Sequence, residues 1–241
     1  MRPFRFLSAL LWAAGIAVGR AAPGQADTYT FRTSDRRFTP GVNNQGWWIA
    51  KPQFLPGPGQ YDENDNYYVG YEVAIGTDNP IRNFFTFDLS ALKLTGQAVV
   101  AARLELIHGG YASGKAKETY TLFDVTTDAA TLNHNVGEDP VIWADLGSGT
   151  EYGAFEVGWA RPNERYGFDM EVDRCDLNAA ALADIRKAAG GFFSIGGALT
   201  SFESTPFAEQ TPFAGMIGAY GDTEHRAQRL IVETAPDETD Q

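Results

Sequence analysis

The sequence predicts an all-β protein, an antiparallel β-sandwich with one short helix, and three observations carry that prediction. Short segments rich in Val, Ile, Phe, Tyr and Thr recur along the chain, separated by clusters of Gly, Pro, Asn and Asp. Two of them alternate strictly: Ala102, Leu104 and Leu106 against Arg103 and Glu105, and Tyr120 and Leu122 against Thr119 and Thr121. A single stretch breaks this pattern with helical spacing.

Taken in order, the strand segments are Tyr29–Phe31, Trp47–Ala50, Tyr67–Ile75, Asn83–Asp88, Ala98–His108, Thr119–Val125, Tyr152–Val157, Tyr166–Val172, Phe192–Ala198, Gly215–Tyr220 and Arg229–Thr234. About ten strands are enough for two packed sheets. The helix follows Asp176 as its cap, places Leu177, Ala181, Leu182 and Ile185 on one face, and stops at Gly190 and Gly191. No internal repeat or long linker divides the chain, so residues 27–234 are expected to form one sandwich domain, followed by a disordered acidic tail over 235–241.

The first 26 residues differ in kind. Arg2 and Arg5 make a positive start, Phe6 to Val18 is almost wholly apolar, and Gly24-Gln25-Ala26 has the small-x-small form a signal peptidase needs. Residues 1–26 therefore read as a signal peptide cut after Ala26, with a cut after Ala21 as the competing choice. The apolar run is shorter than the roughly 20 residues that span a bilayer, so an exported protein, periplasmic or extracellular, is expected, with no membrane insertion after signal removal.

The chain carries 19 basic and 31 acidic residues, a net charge of −12. Removing the signal takes away Arg2, Arg5 and Arg20 and no acid, which deepens the net charge to about −15. A field of that sign repels phosphate backbones and anionic lipid surfaces, so nucleic acid is not an expected partner. Cys175 is the only cysteine, between Arg174 and Asp176 and with no histidine nearby, which makes it a packing residue and rules out an intrachain disulfide.

Two phrases invite comparison with a known family. Arg82-Asn83-Phe84-Phe85-Thr86-Phe87-Asp88-Leu89-Ser90 followed by Val99 to Leu106 resembles the opening of the DNRLRE or disaggregatase-related secreted β-sandwiches, which are similar to family 96 carbohydrate-binding modules. Leu122-Phe123-Asp124-Val125-Thr126-Thr127 and the helix leading into Phe192 fit the same order, so the likeness covers roughly residues 67–233. The chain departs from the pattern at Leu132-Asn133-His134-Asn135 and in the loop Asp145 to Gly153. The resemblance implies a jelly-roll-type sandwich and glycan binding, and it transfers no ligand residue.

The residues themselves offer two candidate sites. Trp47, Trp48 and Tyr68, with Tyr61, Tyr67 and Tyr71 nearby, are the candidates for an aromatic platform on which sugar rings stack. Adjacent residues of a strand point to opposite faces, so at most one of the two tryptophans can belong to the core while the other faces out. Asp62, Asn64, Asp65 and Asn66 form an oxygen-rich loop that could clamp a structural calcium ion, and a solvated turn is the alternative. An EF-hand does not fit, because Tyr67 and Val73 stand where its glycine and glutamate belong.

Other chemistry finds little support. His108, His134 and His225 fit no zinc spacing, Ser194 lies inside a strand rather than at a nucleophile elbow, and Gly147-x-Gly149-x-x-x-Gly153 lacks the surrounding βαβ unit of a dinucleotide loop. The sequence therefore reads as an exported binding or matrix protein directed at extracellular polysaccharide, an enzyme being the less favoured choice. A polysaccharide lyase or glycoside hydrolase, and a structural or adhesive envelope protein, are the alternatives. Oligomeric state is not legible.

Overall fold

The computed structural model describes residues 26–50, 67–72, 80–113, 115–134, 138–158, 171–203, 213–218 and 227–237. These form two antiparallel sheets. The first contains β1 (Asp27–Arg32), β3 (Tyr68–Glu72), β5 (Gln97–Ala112), β8 (Glu171–Asp176), β10 (Phe213–Gly218) and β11 (Arg229–Pro236), ordered β1-β11-β5-β10-β3 with β8 also paired to β5. The second is ordered β2-β4-β9-β6-β7, from β2 (Gln45–Trp48), β4 (Arg82–Asp88), β9 (Phe192–Leu199), β6 (Lys117–Phe123) and β7 (Glu151–Gly158). The chain changes sheet at every connection between successive strands except β6 to β7 and β10 to β11, which is a jelly-roll-like path.

Period-two alternation produces the core. On β5, Ala102, Leu104 and Leu106 turn inward, and on β6 Tyr120 and Leu122 do the same. They meet Phe85 and Phe87 of β4, Phe193 and Ile195 of β9 and Leu230 and Val232 of β11. Tyr67 meets Phe85 edge-on at 4.8 Å between ring centroids, and its hydroxyl donates to the Ile107 carbonyl at 3.2 Å. The Tyr120 hydroxyl donates to Asn83 Oδ1 at 2.9 Å. Burial holds both phenols well above their ordinary pKa. Gly197 leaves room for this pair, since a Cβ there would fall on the Tyr120 hydroxyl.

The expected helix is α3 (Ala179–Ala188), which turns Ala181 and Ile185 into the core. Its cap is Asn178 rather than Asp176: Asn178 Oδ1 accepts from the amides of Ala180 and Ala181 at 3.0 and 3.2 Å, while Asp176 ends β8. Gly190, at φ +84°, supplies the left-handed stop. Three further helical segments join it among the described residues: α1 (Ala129–Leu132), α2 (Pro140–Asp145) and α4 (Thr200–Glu203).

Two boundaries differ from expectation. β8 begins at Glu171, so the Tyr166–Val172 segment overlaps it by two residues and the rest of that segment lies outside the described residues. β11 runs through Ala235 and Pro236, paired with Ala98 and Gln97, and the Asp237 amide donates to the Gly96 carbonyl at 3.0 Å. The start of the expected acidic tail is thus ordered by pairing with β5. No described helix is long and apolar enough to cross a membrane.

Candidate functional site

Trp47 and Trp48 do point to opposite faces of β2, but both are buried. Trp47 packs with Ile49, Tyr68 and Ile81, whereas Trp48 packs with Phe84, Leu132, Ile142 and Leu146. Their exposures are 7% and 2%, and that of Tyr68 is 4%, so the three do not form an open stacking platform. The reason is the segment carrying α1 and α2, which covers the outer face of the second sheet where a bare strand would leave one tryptophan in water. The acidic loop residues Asp62, Asn64, Asp65 and Asn66 lie outside the described residues, as does Tyr61.

That covering segment builds a cleft. Asp128 caps α1, its carboxylate accepting from the Thr131 amide at 2.9 Å and from the Thr131 hydroxyl at 2.5 Å. These donors hold its carboxyl below the usual range. Asp139 caps α2 through the amides of Val141 and Ile142 at 2.7 and 3.1 Å, and Pro140 fills the first helical position. The Asp139 amide donates to the Ile49 carbonyl at 3.0 Å, and Glu138 bridges to Ile49 in parallel, which docks the start of α2 beside β2.

Between the two helices lies a cleft of about 380 Å³. Its buried lining is apolar, from Trp48 and Ile142, and its more exposed rim carries Ala130 with the polar residues Thr131, His134, Glu138 and Asp139. Trp48 is only 2% exposed, so it offers the cleft little open surface. Its indole N–H is turned away from any ligand, donating to the Leu132 carbonyl at 3.3 Å.

The far end of α2 is anchored as firmly. Arg82 donates from Nη1 to the carbonyls of Trp143 and Ala144 at 3.0 and 3.2 Å, where a guanidinium complements the C-terminal helix carbonyls. It pairs through Nη2 with Glu203 at 2.8 Å, both side chains being largely buried. The Trp143 indole N–H donates to the Pro80 carbonyl at 2.6 Å. Gly147 completes the fit, because a Cβ there would fall on the Arg82 guanidinium.

Asp145 ties the helix to the exit of β6. Its carboxylate accepts from the Thr126 hydroxyl at 2.7 Å, the Thr127 hydroxyl at 2.6 Å and the Thr127 amide at 2.8 Å. Burial raises its pKa, but the Thr127 and Thr126 donors outweigh burial and leave the carboxyl below its ordinary value. Gly149, at φ +99°, lets Asp124 reach the Thr150 amide at 2.7 Å. The glycine loop is therefore a turn shaped around Arg82 and Asp124.

Chemically, the cleft offers an apolar floor and a rim of hydroxyl, imidazole and carboxylate groups, the complement of a molecule with one apolar and one hydroxylated side. Among the described residues, no group of three or more His, Cys, Asp or Glu is placed to hold a metal ion. Ser194 is engaged with the Thr86 hydroxyl at 2.9 Å inside the sheet. Cys175 is buried and packs as expected, its thiol pushed up to about 11 by burial and by Asp176. Among the described residues singled out in the sequence for ligand contact, Trp48 alone reaches the cleft. The readable signals for the rest were the helix starts Asp128 and Asp139-Pro140 on either side of His134.

No family model matches the chain, and no curated protein matches it. Among solved structures, the K1 cleaved adhesin domain of Lys-gingipain (Kgp) from Porphyromonas gingivalis W83 is similar at 14% identity, with 89% of this chain and 99% of that chain covered and a TM-score of 0.31. A likeness of that size carries no argument about activity or ligand.

Proposed function

We propose that this protein is an exported binding protein that recognises extracellular polysaccharide through the cleft between α1 and α2. The observation that supports the reading is the division of that cleft into an apolar floor and a polar rim. Sugars present the same division, C–H faces beside hydroxyls; at the rim the His134 imidazole can donate or accept, the Glu138 carboxylate accepts, and the Thr131 hydroxyl, which donates to Asp128, accepts. The polysaccharide meets Trp48 and Ile142 with its apolar side and the rim with its hydroxyls.

A glycan array on the chain without residues 1–26 tests the proposal. Binding to a defined glycan is expected, with at least a tenfold loss in a His134→Ala, Glu138→Gln double variant that keeps its melting midpoint. Neither reducing ends nor unsaturated products are expected to be released. Release of either replaces binding by catalysis, and unchanged binding in the double variant removes the cleft from the proposal.

A further inference from the structure

We infer that the glycan taken by the cleft between α1 and α2 is cationic, an amino-sugar polymer whose free ammonium groups are read by Glu138 and Asp139. The inference rests on the proposed reading of this cleft as a polysaccharide site and names the class of sugar. The cleft encloses about 380 Å³, inside the range of roughly 300 to 1,000 Å³ that small-ligand pockets occupy. Its ionisable lining residues are His134, Glu138 and Asp139, and among the described residues no lysine or arginine lines it.

Both carboxylates are open to a ligand. Asp139 commits one oxygen to its helix, since both cap amides donate to Oδ1, and Oδ2 accepts nothing among the described residues. Glu138 meets β2 through its backbone bridge to Ile49, and its exposed carboxylate has no hydrogen bond or ion pair among the described residues. Anions are disfavoured at the same place. The helix starts that would attract one are already filled by carboxylates, Asp128 at α1 and Asp139 at α2. The guanidinium that reaches α2, that of Arg82, stands at its far end, bound to Glu203 and to the carbonyls of Trp143 and Ala144.

The sequence carries this local sign well beyond the cleft. From Glu118 to Ala160 it holds eight acids and neither lysine nor arginine, within a chain whose net charge is −12. The local and the overall field therefore attract the same sign of ligand. His134 is the one lining group able to gain a positive charge, and two carboxylates outnumber it. An amino sugar fits better than a lysine peptide. Its ammonium sits directly on the ring, so its N–H donors can reach Glu138 and Asp139 while the adjoining C–H face meets Ile142 and Trp48. A lysine ammonium ends a flexible four-carbon stem that brings no hydroxyl to the Thr131 and His134 side of the rim.

The test is calorimetric titration of the chain without residues 1–26 with a glucosamine tetramer, its N-acetylated form, tetragalacturonate and tetralysine, at a pH that keeps the sugar amine protonated. N-acetylation keeps the ring and removes the charge. The glucosamine tetramer should bind about tenfold more tightly than the other three, an advantage that shrinks as salt rises from about 50 to 500 mM. The Glu138→Gln, Asp139→Asn variant removes both charges while asparagine keeps the α2 cap. It should melt like the parent, lose about tenfold for the glucosamine tetramer and change N-acetylated binding by less than about threefold. Glu138→Gln alone should move in the same direction. A Glu156→Gln, Glu233→Gln variant, matched in charge on exposed strand positions, should bind as the parent does. Equal affinity for the N-acetylated tetramer, tetragalacturonate or tetralysine would overturn the inference, as would equal losses in the strand variant or a glucosamine tetramer that does not bind. The glycan site itself survives those outcomes when the array yields a glycan whose binding the His134→Ala, Glu138→Gln variant weakens, so the two readings fail separately.

Discussion

The guanidinium of Arg82 lies 3.7 Å from the centre of the Trp143 ring while donating to the Trp143 carbonyl at 3.0 Å, so one side chain grips both the backbone and the side chain of the same residue. Its pairing with Glu203 adds a tie to α4. Arg82 thereby joins β4, α2 and α4, and with them the far end of the cleft.

Replacing Arg82 by Met should leave Glu203 largely buried without its cation and cost about 3 kcal/mol. Arg82→Lys should cost less, since the charge is kept while the paired donors and the stacking on Trp143 are lost. Denaturant titration measures both. Stability of the Met variant within about 1 kcal/mol of the parent would discard this keystone role.

Trp47 and Trp48 make a paired test of burial. Each Trp→Ala change should cost about 3 to 5 kcal/mol, because both rings are packed. The Phe variants separate them. Trp48→Phe loses the hydrogen bond to Leu132, worth about 1 kcal/mol, whereas the buried Trp47 indole N–H has no partner among the described residues and Trp47→Phe gives up none there. Trp48→Phe should therefore be the less stable of the two, and the reverse order would contradict the packing described.

Asp145 sets a pH dependence. Its folded carboxyl titrates below its unfolded value, so its contribution is fully present above the ordinary carboxylate pKa of about 3.9 and is lost as pH falls through the lower folded pKa. Asp145→Asn should be less stable than the parent at pH 7, with the difference shrinking below about pH 4. Urea melts across that range check it, and a difference constant with pH would be the contrary result.

Calcium held by Asp62, Asn64, Asp65 and Asn66 would bind the folded chain alone and raise its melting midpoint. At a free concentration 100 times its Kd the stabilisation is about 2.7 kcal/mol. Melts with excess calcium and with chelator measure it, and identical midpoints leave the loop as a solvated turn.

How far the sequence could be read varies from element to element. The strand from Ala98 to His108 was legible because alternation is a local property: Leu104 and Leu106 must share a side of any extended chain. The α3 face was legible for the same reason at a different period, although its cap was not. Asp176 and Asn178 are equally good cap residues, and the choice fell to Asn178 once Asp176 was taken up in pairing with Arg103. The cleft was the least legible part, because its residues come from a stretch whose signals are caps and a proline, without a long apolar period.

By itself the sequence determined that this chain folds as sheets, which residues of each strand share a face, and that Trp47 and Trp48 part company across β2. Only the tertiary structure decided what covers each face: the Trp48 indole meets Leu132, 84 residues later, and that meeting turns an expected platform into the floor of a cleft. It likewise gathered Arg103, Arg174 and Arg229 around Glu105. The physical reason is range. Side-chain direction follows from the backbone geometry of neighbouring residues, whereas burial and charge clustering depend on which distant segments close the loop and pack.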